Sequence, residues 1–130
     1  MNPTAHDFVY AWRRFVDPET AAPFAHFAKG IENAEAIVAG EKPPETLGVR
    51  ARSDHVLEVR FEAPFPHLEA YLASVWFAPV RRDVSERYGE RYGSEADRMH
   101  YNGPYVIDEW KHDQRLRLRR NPQYWNPERV

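Results

Sequence analysis

Two stretches of this sequence alternate with the two-residue period of a β-strand, and each is doubled back by a turn signal. In "VRARSDHVLEVRFE", residues 49–62, Ser53-Asp54 separates two alternating arms. In "GPYVIDEWKHDQRLRLRRN", residues 103–121, the break falls near His112 to Gln114. The run Arg115-Leu116-Arg117-Leu118-Arg119 is strictly alternating. Successive strand side chains point to opposite faces, so the leucines share one side and the arginines the other. The pattern stops at Asn121-Pro122, since proline has no amide hydrogen to give to a strand ladder. Both hairpins sit in a chain whose other segments carry the helical period. The fold class implied is α+β, short helices with two β-hairpins.

The helical segments are brief and punctuated. Thr4-x-x-Asp7 has the form of a capping box, and Phe8, Ala11, Trp12 and Phe15 follow at i, i+3, i+4 and i+7. That spacing predicts a buried helix face, with Arg13 and Arg14 on the wet side. Pro18 ends the helix by disfavouring helical geometry at Asp17. "ETAAPFAHFAKG" predicts a second short helix stopped by Gly30, and "IENAEAIVAG" a third stopped by Gly40. Beyond the first hairpin, Pro66 opens a helix with Leu68, Tyr71, Leu72 and Val75 on one side. "WFAPV" predicts a short apolar strand with Trp76 and Phe77 packed, and "RDVSERYGERYGSEADR" a polar helix followed by a loop.

Composition excludes several functions. Eighteen basic against twenty acidic residues give a formal charge of −2, the wrong balance for a phosphate-binding surface. No nucleic-acid partner is expected. The absence of cysteine removes disulfides, thiolate metal sites and cysteine nucleophiles. No apolar run approaches the roughly 20 residues that cross a bilayer, and Met1-Asn2-Pro3-Thr4 does not begin an export signal. The six histidines, His6, His26, His55, His67, His100 and His112, form no metal-binding spacing. His112-Asp113 resembles a base with its orienting acid, but lies at a hairpin tip and reads as a solvated turn. Neither an activated-serine elbow nor a phosphate loop is present. The expectation is a non-catalytic protein without metal or cofactor. Trp110, Tyr124 and Trp125 either cover the apolar face of the second hairpin or stack on sugars or bases.

Four stretches in order, "TAHDFVYAWRRFVDPETAAPFA", "AIVAGEKPPETLGVRARSDHVLEVRFEAPFPHL", "NGPYVIDEW" and "RLRLRRNPQYW", resemble the family 5 extracellular solute-binding proteins. These are the oligopeptide- and dipeptide-binding components of ABC importers. The resemblance runs from about Pro3 to Asn126 and is nearest to the oligopeptide branch. It implies an interior fragment of a multi-domain receptor like the type II periplasmic binding proteins. Residues 1–93 would be a portion of the small extra domain, 94–101 a linker, and 102–130 a strand pair of the first main lobe. Tyr124 and Trp125 would pack beneath that pair. The ligand implied is an oligopeptide, the partners ABC permease subunits, and the location of the full-length protein periplasmic or extracytoplasmic. An uncovered second hairpin would favour self-association of the fragment. Two ligand positions carry over. The family tyrosine that follows proline falls at Phe24, which lacks the hydroxyl, and a cleft histidine falls near Ser74, aligned on Ala78-Pro79-Val80. Open alternatives are a receptor for a nickel chelate, haem or an oligosaccharide, and a free-standing carbohydrate- or protein-interaction module.

Overall fold

A computed structural model describes residues 3–129. The chain divides into two compact units, Pro3–Val80 and a second that runs from Arg81 onward.

The first unit begins with α1, Ala5–Val16. Thr4 caps it in extended conformation: its backbone N–H donates to Asp7 Oδ2 at 2.7 Å and its hydroxyl to the same oxygen at 3.1 Å. These bonds fix the first turn, where helix amides otherwise lack partners. Ala11, Trp12, Phe15 and Val16 are buried, while Phe8 packs half-buried against them. At the far end Asp17 takes φ −67° and ψ 120°, the extended geometry that Pro18 demands of its neighbour. Arg14 is exposed as expected. Arg13 is not fully so: half-buried, it donates from Nη2 to the carbonyl of Glu45 at 3.1 Å.

Residues 19–30 do not form the expected α-helix. Two 3₁₀ turns, Pro18–Thr20 and Ala25–Ala28, take its place. Ala21 sits in the left-handed region at φ 50°, and Pro23 has no amide hydrogen to continue a helical ladder. A short α2, Ala34–Val38, follows. β1, Val49–Ser53, and β2, Val56–Val59, then pair antiparallel, with Val49 opposite Val59 and Ala51 opposite Leu57. Ile31 bridges to Phe61, and the amide of Glu32 donates to Arg60 O at 2.9 Å, so residues 30–32 lie along the outgoing arm. Gly48 makes that approach possible. A Cβ there would stand 2.5 Å from Glu32 Cβ and 2.9 Å from the Arg60 carbonyl oxygen.

α3, Leu68–Leu72, is shorter than the expected helix, and residues 75–77 form a 3₁₀ turn where a strand was expected. Ser74 caps the turn through Oγ, which accepts from the Trp76 amide at 3.5 Å. Such a local side-chain bond competes with a sheet ladder, and Pro79 cannot donate to one. Phe77 is buried as expected, but Leu72 and Val75 face solvent, 48% and 75% exposed. The core centres on Trp12, 2% exposed, whose indole N–H donates to Phe77 O at 3.0 Å.

The second unit opens with α4, Arg82–Tyr88. Residues 94–101 form a loop closed by local hydrogen bonds. Gly93 donates to Arg98 O at 2.9 Å, and the Tyr101 hydroxyl to Ala96 O at 2.8 Å. β3, Tyr105–Lys111, and β4, Arg115–Arg120, pair antiparallel, with Ile107 opposite Leu118 and Trp110 opposite Leu116. The register shifts between Ile107 and Glu109, a bulge at Asp108. All of β4 is exposed, Leu116 at 54% and Leu118 at 52%. Trp125 is 75% exposed, contrary to the expectation that it packs beneath the strands; Asn121 and Pro122 turn the chain away first.

Trp12→Ala should cost about 3–5 kcal/mol, as truncation of a large buried aromatic does. Arg14→Ala should move stability by less than about 0.5 kcal/mol. Urea unfolding of both variants checks this, and equal shifts of the midpoint would refute the assignment of the helix face.

Candidate functional site

The arginine stripe of β4 lies on the face opposite Leu116 and Leu118, and β3 supplies its counter-charges. Arg115 Nη2 stands 2.7 Å from Glu109 Oε2, Arg117 Nη2 2.7 Å from Asp108 Oδ2, and Arg119 Nε 3.3 Å from Asp108 Oδ1. Lys111 Nζ is 3.3 Å from Glu109 Oε1. In a regular strand neighbouring side chains face opposite ways, but at the bulge both Asp108 and Glu109 reach the arginine stripe, Asp108 at Arg117 and Arg119 and Glu109 at Arg115. The hydrogen bond from Arg115 holds the Glu109 carboxyl below the usual glutamate range, against an opposing push from desolvation. The same pairing raises Arg115. A stripe neutralised in place offers no row of free cations to phosphates. At the hairpin tip, His112 Nε2 lies 3.4 Å from Glu95 Oε1, with the histidine about half exposed and the glutamate partly covered. Asp113 occupies the left-handed region at φ 59°, as a turn residue.

Phe24 and Ser74, fifty positions apart in sequence, both meet Trp76, Phe24 at its ring and Ser74 at its backbone amide. Phe24 is 39% exposed; its ring lies 4.6 Å from that of Trp76 and stacks on Phe27 at 5.7 Å and 11°. Ser74 is half-buried and bonded to the Trp76 amide. Phe15 stacks on Trp76 at 6.2 Å and 12°. Trp76 was expected to be packed in a strand, yet 36% of it is exposed. The signal that could have placed it was Ser74 ahead of Val-Trp-Phe-Ala-Pro, a capping residue followed by a proline that forbids a continued ladder. This arrangement holds an apolar, aromatic surface with one hydroxyl at its edge, suited to contact rather than to proton transfer or nucleophilic attack. Among the described residues no group of three His, Asp or Glu side chains converges as a metal site would require.

The model of the bacterial extracellular solute-binding proteins, family 5 Middle, matches residues 3–130. The chain belongs to that family. Its relatives include the periplasmic oligopeptide-binding protein OppA of Salmonella typhimurium, 40% identical over 125 residues, which cover 95% of this chain and 23% of OppA. The probable deoxycholate-binding periplasmic protein YgiS of Escherichia coli is 42% identical over 123 residues, covering 93% of this chain and 23% of YgiS. In solved structures, the substrate-binding domain of an oligopeptide ABC transporter from Bacillus anthracis matches with a TM-score of 0.94 at 44% identity. That match covers 98% of this chain and 24% of the other. This family 5 chain thus spans about a quarter of the length of the relatives it matches. The α+β class read from the two hairpins agrees with these neighbours.

Because the folded state lowers the Glu109 pKa, its contribution is present above the ordinary glutamate value and is lost as pH falls through the lowered one. Carboxyl carbon shifts should show Glu109 titrating below the usual glutamate range, and Arg115→Ala should return it there. An unchanged midpoint in the variant would show that Arg115 is not the cause.

Proposed function

We propose that this chain is the portion of a non-catalytic receptor that takes part in capturing oligopeptides for an ABC importer. The observation that carries the reading is the match, at 44% identity over nearly the whole chain, to the substrate-binding domain of an oligopeptide ABC transporter. In this reading Phe24 and Ser74 touch the peptide, Phe24 by ring contact alone and Ser74 by its hydroxyl. Residues 1–93 supply the portion of the small extra domain, 94–101 a linker, and 102–130, with β3 and β4, the strand pair of the first main lobe. The full-length protein works outside the cytoplasm and delivers peptide to permease subunits. The YgiS relative, as similar in sequence as OppA, favours a second reading in which the cargo is an amphipathic acid such as deoxycholate.

Peptide receptors gain affinity by burying the ligand on both sides and hydrogen-bonding its backbone. One partial surface still loses the ligand's rigid-body freedom, a cost of at least about 4 kcal/mol. The 130-residue chain should therefore bind tri- to pentapeptides with a Kd of about 1 mM or weaker. Amide shifts should cluster near Phe24 and Ser74. Mass spectrometry should recover the peptides intact; cleavage would overturn the non-catalytic assignment.

β3 and β4 form a two-stranded sheet with open edges and exposed leucines on one face. Such edges pair readily with another strand. The isolated chain should self-associate through this hairpin, with a sedimentation coefficient that rises with concentration. Leu118→Lys should keep it monomeric. A strictly monomeric parent chain at high concentration would count against the hairpin as a contact surface.

A further inference from the structure

Four apolar side chains around the turn at residues 75–77 remain in water. Leu72 is 48% exposed, Val75 75%, Trp76 36% and Phe24 39%. We propose that Trp76, with the Phe24 ring beside it, is a specificity-determining surface that receives an apolar side chain of the bound peptide, aromatic in preference to aliphatic. The proposal rests on the peptide-receptor reading above and adds to it the class of side chain selected.

The exposure of Trp76 is not that of a loose side chain. Its ring lies against two others, Phe15, parallel at 6.2 Å and 12°, and Phe24, tilted at 4.6 Å. Phe15 is 9% exposed and packs against Phe77 at 6.1 Å, so the support beneath the indole belongs to the core. The Trp76 amide is fixed on Ser74 Oγ. A large aromatic held in this way offers contact area with little conformational entropy left to lose on binding.

Position selects the occupant. The Trp76 ring lies 4.6 Å from that of Phe24, so a ligand in contact with Phe24 lies beside the indole. Chemistry selects the class. Phe24, Val75 and Leu72 carry no polar side-chain atom, and the Ser74 hydroxyl already accepts a backbone hydrogen bond. Recognition over Trp76 is therefore by burial and by ring-on-ring contact, in which offset or edge-on aromatic pairs are favoured. The turn capped by Ser74 is what brings Trp76 out.

The test uses the whole 130-residue chain, ¹⁵N-labelled, titrated separately with Ala-Phe-Ala, Ala-Ala-Ala, Ala-Lys-Ala and sodium deoxycholate. Ala-Phe-Ala should shift the Trp76 indole resonance and bind about tenfold more tightly than Ala-Ala-Ala. Trp76→Ala should bring that ratio near unity. Val75→Ser should reduce it as well; Val75 is largely in water, so its loss leaves the core intact if Trp76→Ala does not fold. Equal binding of the two peptides, with shifts at Phe24 and Ser74, would overturn the role of Trp76 and leave the receptor reading standing. Tightest binding of Ala-Lys-Ala would overturn it too, by making the ring face a site for cations. Shifts from deoxycholate alone would overturn both the role of Trp76 and the peptide reading, and shifts from none of the four at concentrations well above the millimolar range would overturn the role of Trp76 alone.

Discussion

The hydrogen bond from the Trp12 indole to the Phe77 carbonyl, 3.0 Å long and buried, joins positions 65 residues apart. Each end constrains more than itself. On the helix side, the Trp12 ring meets Phe8 and Phe77 edge-on, at 6.4 and 5.2 Å, which sets how α1 lies in the core. On the other side, the bond anchors the last residue of the 3₁₀ turn and fills the acceptor of a buried carbonyl. An unsatisfied buried carbonyl costs about 1–3 kcal/mol. With Phe77 turned inward and pinned, its predecessor Trp76 is directed outward. The surface that holds Phe24, Ser74 and Trp76 together is thus a consequence of how the core closes.

The two hairpins show the same pattern under opposite conditions. In β1 and β2, Val49 joins the core and Leu57 and Val59 pack against it, so one face of the sheet is used. In β3 and β4, alternation is stricter, yet the leucine face of β4 stays in water. What orders the second hairpin locally is its ladder together with ion pairs of Asp108 and Glu109. Exposed pairs contribute only about 0–1 kcal/mol each, and a lone two-stranded hairpin is marginal in water. A strand with Leu116 and Leu118 on one side and paired arginines on the other has the composition of one layer of a larger assembly. The length relation to the relatives, about a quarter, accords with that.

Local rules carried far in this sequence. Thr4, Asp7 and Pro18 bound α1 because capping and pre-proline geometry depend only on neighbours, and the alternation of residues 105–120 set both strands to within a residue or two. The run at 19–30 misled because its alanines favour a helix while Pro23 removes a donor in the middle; the chain settles for two short turns. "WFAPV" misled for a related reason. Its composition suits a strand, but a strand needs a partner, and Ser74 offers the backbone a nearer one. The candidate surface was legible at Phe24 and Ser74 only through the resemblance. For Trp76 the turn was legible in Ser74 and Pro79 but the exposure was not, since whether an aromatic is covered depends on which residues pack above it.

The energetics also indicate what kind of role such a surface can have. Fully burying one large apolar side chain yields about 1.5–3 kcal/mol, whereas association costs at least about 4 kcal/mol before any gain appears. One aromatic contact at Trp76 therefore cannot hold a peptide by itself. Added to backbone hydrogen bonds and a second enclosing surface, the same contribution no longer has to offset that cost and becomes a difference between ligands. A factor of ten in affinity corresponds to about 1.4 kcal/mol, well within the reach of one ring-on-ring contact. A rigid, half-exposed indole beside the proposed contact residues is thus better suited to choosing among peptides than to retaining them. Retention has to come from elsewhere in a receptor of which this chain matches about a quarter.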